Sequence, residues 1–192
     1  MSTEKLIKFC SPTLAGLKTG SMFSCKVVNE LVLRKSIAEF NHKLVKKGVR
    51  IIPIFCEKGN AIIYVYRPML LRKDLTKISS VIILKKYGYS ISNINKCVAK
   101  LANKLKYSNE FPNEIGLFLG YPAKDVRGFI ENNAERCKFS GMWKVYGNVK
   151  TAKRKFVMFK KCTGVYMNIL SKYNNCIERL TVSEQNLYNK KI

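Results

Sequence analysis

Three side chains in this sequence are suited to making or breaking bonds: the thiol of Cys10, the carboxylate of Glu114 and the phenol of Tyr121. Cys10 has Lys8 and Lys18 nearby in a stretch that reads as loop, and positive neighbours lower a thiol's pKa. The plainer reading is a structural thiol. His42 is the only histidine and falls on a predicted helix, so no Cys–His pair can be built. Glu114 is placed to act as a general base, yet one carboxylate without a visible partner equally suits an ion pair with one of the many cations. An enzyme or redox accessory protein would need Cys10, Glu114 and Tyr121 to converge.

Other residues suit the binding of anions. Gly16-Leu17-Lys18-Thr19-Gly20 resembles a phosphate loop in composition but lacks the G-x-x-x-x-G-K-[ST] spacing. Lys18 is therefore either a loop cation that holds an anion or part of a turn. The stretch Glu114–Asp125 predicts a short strand, Ile115–Leu119, ending in glycine and leading into a helix. That arrangement would gather backbone N–H groups at Gly120 and Tyr121. The alternative is that Gly116 and Gly120 serve packing and a turn. Trp143, Lys144, Tyr146, Lys150 and Arg154 interleave aromatics with charge, as surfaces that stack on nucleic-acid bases do. Strand alternation puts Trp143 with Val145 in the core and exposes Lys144 with Tyr146. No RNA-recognition, KH or zinc-finger signature is present.

The seven cysteines stand at 10, 25, 56, 97, 137, 162 and 176, without a C-x-x-C pair. Neither a disulfide framework nor a metal site is expected from that spacing, and no cofactor is specified. The net charge of +24 arises from 36 basic and only 12 acidic residues. Lysine codon bias explains 28 Lys against 8 Arg, but not the scarcity of acids. A field of this sign attracts phosphorylated small molecules or nucleic acid. No run approaches the ~18 apolar residues of a membrane helix, so membrane insertion is not expected. The N-terminus lacks a signal-peptide core, and the expected location is cytoplasmic.

The elements that must position these residues read as an α+β fold. Residues 1–26 read as a loop-rich entry with a strand at Ser21–Lys26. A helix follows from about Asn29 to Lys47, stopped by Gly48. Val49–Cys56 and Ala61–Tyr66 form a hairpin, with Pro53 marking an edge strand. Helices follow from Pro68 to Tyr87, broken near Ser79-Ser80, and to about Lys106, capped by Ser90 or Ser92. Pro122 starts a helix over Ala123–Glu131. Cys137–Tyr146 reads as a strand. Val149, Ala152, Phe156 and Phe159 begin the seam of a long final helix. The expected architecture is one domain over residues 1–180, a sheet of about four or five strands covered by helices, with a polar, frayed tail at 181–192.

Four stretches together carry a family resemblance: CSPTLAGLKTGSMF (Cys10–Phe23), NAIIYVYRP (Asn60–Pro68), FPNEIGLFLGYPAKDVRGFI (Phe111–Ile130) and GMWKVYGN (Gly141–Asn148). In this order they resemble an uncharacterised domain-of-unknown-function family of clostridia and related anaerobic Gram-positive bacteria. The resemblance spans nearly the whole chain and implies a bacterial, single-domain, cytosolic protein. It supplies no activity and no catalytic residue. Members of that family often have His where this chain has Asn113, which argues against a His-dependent mechanism. The leading expectation is a binding protein for an anionic ligand.

Overall fold

The Ser2 hydroxyl accepts a hydrogen bond from the Lys5 amide and starts α1 (Thr3–Leu14), which buries Leu6, Ile7, Cys10 and Leu14 along one face. The expected loop-rich entry is thus corrected to a helix. Pro12 lies in its last turns, and its carbonyl accepts from the Leu17 and Lys18 amides as the chain leaves the helix. The computed structural model describes residues 1–56, 59–107, 110–170, 172 and 176–189. The protein is α+β and divides into two units, residues 1–69 with 159–192 and residues 70–158.

The first unit is built on an antiparallel sheet of β1 (Gly20–Lys26), β2 (Arg50–Cys56) and β3 (Asn60–Tyr66), in the order β1-β3-β2. Gly20 pairs with Tyr66 and Lys26 with Asn60 on one side of β3; Arg50 pairs with Tyr66 on the other. β2 is therefore the edge strand that Pro53 requires, since proline has no N–H to give a central ladder. Asn41, on α2 (Glu30–Leu44), covers part of that edge by bonding both the N–H and the carbonyl of Ile51. A short 3₁₀ turn, Val45–Lys47, follows α2 and ends at Gly48, whose φ of 76° is left-handed. Phe23, Ile51, Ile63 and Val65 from the sheet join Leu6, Ile7, Leu14, Leu33 and Ile37 in one apolar core.

Arg67, directly after β3, is fully buried. Its guanidinium donates to the carbonyls of Thr13, Leu14, Lys47 and Val182. Two of these close α1 and one closes the turn after α2, where unpaired carbonyls and the helix dipole favour a cation. Burial lowers the Arg67 pKa, and Glu184 and Tyr166 oppose that shift.

In the chain order of the second unit come α3 (Pro68–Leu75), which begins just before the division, α4 (Ile78–Lys86), α5 (Ile94–Tyr107), α6 (Ile115–Phe118) and α7 (Ala123–Glu131). The hairpin β4 (Phe139–Ser140) and β5 (Lys144–Val145) follows, then α8 (Val149–Ile169), which passes back into the first unit. Asn93, not Ser90 or Ser92, accepts the capping hydrogen bond at the start of α5. The expected strand Ile115–Leu119 is a single helical turn. The expected strand Cys137–Tyr146 is reduced to the two-residue strands β4 and β5, with Phe139 opposite Val145. After α8 come α9 (Ile177–Leu180) and α10 (Glu184–Asn189). Among the described residues no helix is long and apolar enough to cross a membrane.

Candidate functional site

The segment before α6, α6 itself, α7 and the β4–β5 hairpin enclose an open cavity of about 310 Å³ in the second unit. Phe111, Ile115, Tyr121, Val126, Phe129, Met142 and Trp143 supply most of its wall, and Asn113, Asp125 and Lys144 supply its polar side chains. Gly116 makes the inner wall possible. A Cβ there would meet Val126 Cγ2 at 2.8 Å and Tyr121 Cδ2 at 3.0 Å. Without one, Tyr121 lies down on α6 and stacks on Trp143, centroids 4.7 Å apart and planes 25° apart. Trp143 in turn meets Phe156 of α8 edge-on at 4.4 Å. Burial raises the Tyr121 pKa, so the phenol stays protonated at neutral pH.

Asp125 locks this wall. It is 3% exposed. Its Oδ2 accepts from Trp143 Nε1 at 2.8 Å, and its Oδ1 accepts from the backbone N–H groups of Tyr146 at 2.9 Å and Gly147 at 2.6 Å. One carboxylate on α7 thereby fixes the aromatic ring and the exit of the hairpin together. A buried carboxylate is tolerable because these donors replace its lost hydration.

Lys144 stands exposed on β5 and donates from Nζ to the Ala134 carbonyl at 2.6 Å. That carbonyl lies between α7 and β4, where Asn133, Ala134 and Arg136 all have positive φ. Tyr146, expected to be exposed, is buried instead: its hydroxyl donates to the Glu135 carbonyl, and its ring covers Gly128. β5 ends at Val145, so strand alternation does not reach it.

Glu114 is fully buried beside the cavity wall. Its Oε1 accepts from Lys104 Nζ at 2.6 Å and from the Tyr89 hydroxyl at 3.0 Å. Its Oε2 has no hydrogen-bond partner among the described residues. Burial, then the Glu114 charge, raises the Tyr89 pKa. The ammonium of Lys104 also faces the rings of Tyr87 and Tyr89 at about 5 Å. Of the two readings of Glu114, the ion pair is the one formed.

Gly120 does not offer its amide to an anion. With φ of 76° it closes α6: its N–H bonds the Leu117 carbonyl, and the Tyr121 N–H bonds that of Gly116. This is the left-handed glycine ending that satisfies the last carbonyls of a helix. Cys10 lies on α1, is fully buried, and has its thiol pushed up to about 12 by that burial, against the opposing charge of Lys18. It is therefore not the activated thiol that its lysine neighbours suggest. Lys18 is half-buried, its pKa lowered to about 8 chiefly by desolvation. Both belong to the first unit; Glu114, Gly120, Tyr121, Lys144, Tyr146, Lys150 and Arg154 all belong to the second. Lys150 and Arg154 are exposed on α8. Among the described residues no group of three or more His, Cys, Asp or Glu side chains could hold a metal ion.

One family model matches the chain, over residues 6–181. The chain belongs to the DUF3793 family of proteins of unknown function. No curated protein and no solved structure matches it. Every candidate residue named above falls within the DUF3793 match, including Asp125, which the sequence did not single out. The cavity of this DUF3793 protein is lined mainly by apolar and aromatic side chains. Asp125 is committed to three donors, and the other polar side chains of the wall are Asn113, the Tyr121 phenol and Lys144.

Proposed function

We propose that this protein binds a small anionic ligand in the cavity of the second unit. The observation that carries the reading is an open, aromatic-walled cavity with Lys144 among its lining residues and the Lys144 ammonium held on the Ala134 carbonyl. An ammonium has three donors. One bond to Ala134 holds Lys144 in place and leaves two donors for a ligand. The net charge of +24 adds a long-range field that draws anions toward the protein.

Trp143 is the sole tryptophan, so its emission reports on the site without substitution. Anilinonaphthalene sulfonate, an apolar anion, is expected to quench Trp143 and to brighten on titration. Lys144→Ala should weaken it about tenfold, the loss of roughly one charge-assisted hydrogen bond. Unchanged tryptophan emission, or equal affinity for the variant, would remove the support.

A second reading rests on the start of α8. Lys150, Lys153 and Arg154 are exposed there. Ion pairs among the described residues include those of Arg34, Lys46, Lys77 and Lys104. This surface would serve nucleic acid, with affinity for a random oligonucleotide falling steeply as salt rises. Absent or salt-insensitive binding to nuclease-treated protein would dispose of it.

A further inference from the structure

Resting on the reading that the cavity binds an anion, we infer that its ligand is a one- or two-ring aromatic molecule carrying a single negative charge. A nucleotide or other polyphosphate does not fit the same chemistry. At about 310 Å³ the cavity lies at the small end of the ~300–1,000 Å³ range of small-molecule sites. That suits one or two fused rings and leaves little room for a base, a sugar and phosphates together.

The wall specifies the body of the ligand. Phe111 and Met142 are 60% and 43% exposed, leaving large apolar surface uncovered where the cavity opens. Ile115, Val126 and Phe129 continue that surface inward. A flat apolar body placed there removes this surface from water, the dominant favourable contribution in such sites.

The polar groups specify the charge. Lys144 is the single cation among the described lining residues, and both oxygens of Asp125 are turned to Trp143 and the hairpin backbone. One ligand charge is matched by Lys144, and the described lining offers no further cation for a second. Part of the backbone beside the cavity is already engaged. At the turn from α6 to α7 the N–H groups of Gly120, Tyr121, Asp125 and Val126 all bond carbonyls of the same turn or its helices. Phosphate sites at helix starts depend on such N–H groups being available. A carboxylate or sulfonate needs only the ammonium.

The test is a matched probe set on the full chain, read by Trp143 emission and by saturation-transfer NMR of the probe. The set is 2-naphthoate, 2-naphthalenemethanol with the same rings and no charge, 2-naphthyl phosphate, and adenosine monophosphate. Naphthoate is expected to bind about tenfold more tightly than the alcohol. That margin should vanish in Lys144→Met and survive in Lys144→Arg. Tighter binding of either phosphate than of naphthoate would overturn the ligand class while leaving an anion site in the cavity. Equal binding of naphthoate and the alcohol would overturn the single-charge assignment. If no ring probe perturbs Trp143 in protein with native circular dichroism, both the class and the cavity reading fail.

Discussion

Replacing Asp125 by Asn changes one oxygen into an NH₂ group and little else. The amide can keep an oxygen toward the Tyr146 and Gly147 N–H groups or toward Trp143 Nε1, but not both. The less costly orientation keeps the two backbone bonds and sets NH₂ against the indole N–H, which lie 2.8 Å apart in the parent. One buried donor is then orphaned, at ~1–3 kcal/mol, and the two surviving bonds lose their charge assistance. The expected total is about 2–4 kcal/mol, a large share of the ~5–15 kcal/mol that holds an ordinary domain together. Urea unfolding followed by Trp143 emission and by circular dichroism measures it, and the native emission should move to the red as the indole loses its partner. A double-mutant cycle isolates the bond. Trp143→Phe has no N–H to orphan, so Asp125→Asn should cost ~1–2 kcal/mol less in that background. Equal costs in both backgrounds, or a cost below ~0.5 kcal/mol in the parent, would refute the assignment of Asp125 as the lock of the wall.

Two glycines on helices should respond with opposite sign. Gly128→Ala sets a methyl group inside the Tyr146 ring and is expected to cost ~1–3 kcal/mol, whereas Gly164→Ala meets nothing within 4 Å and should gain ~0.5–1 kcal/mol of helix propensity. Ala134→Gly relieves a φ of 64° and should raise stability by roughly 1 kcal/mol in the same unfolding assay. Cys10 gives a pH signature: its folded pKa is raised from 9.0 to about 12, so its contribution is fully present below pH 9.0 and is lost as pH rises toward 12. The stability difference between the parent and Cys10→Ala should therefore be flat below pH 9.0 and shift against the parent above it, as denaturant unfolding across that range would show. A difference that stays constant from pH 8 to 11 would contradict the burial of the thiol.

Local chemistry made part of this structure legible in advance. Pro53 cannot donate to a ladder and marks the sheet edge; Pro122 marks the start of α7; the three-and-four spacing from Val149 marks α8. Where the reading failed, a local signal was short or masked. Ile115–Leu119 is too brief for a period of 3.6 to be distinguished from a period of 2. Leu6, Ile7, Cys10 and Leu14 do carry helical spacing, but Pro12 and Thr13 obscured α1. Asp125 shows a different failure. An acid in the first turn of a helix usually answers its own helix dipole. Here it answers a hairpin some twenty residues later, and no spacing rule encodes that. The aromatic wall could be suspected from Tyr121 and Trp143, whereas their stacking depends on Gly116 yielding space.

The carbonyls around Arg67 lie 54, 53 and 20 residues behind it and 115 residues ahead of it. During synthesis from the N-terminus, the guanidinium can find Thr13, Leu14 and Lys47 early but must wait for Val182. Chain elongation at ~5–20 residues per second puts that wait at roughly 6–23 seconds. The second unit, one continuous run of residues 70–158, emerges in the interval. The first unit is thus begun before the second and completed after it, and in the nascent chain its buried cation lacks one of its four acceptors until Val182 has emerged.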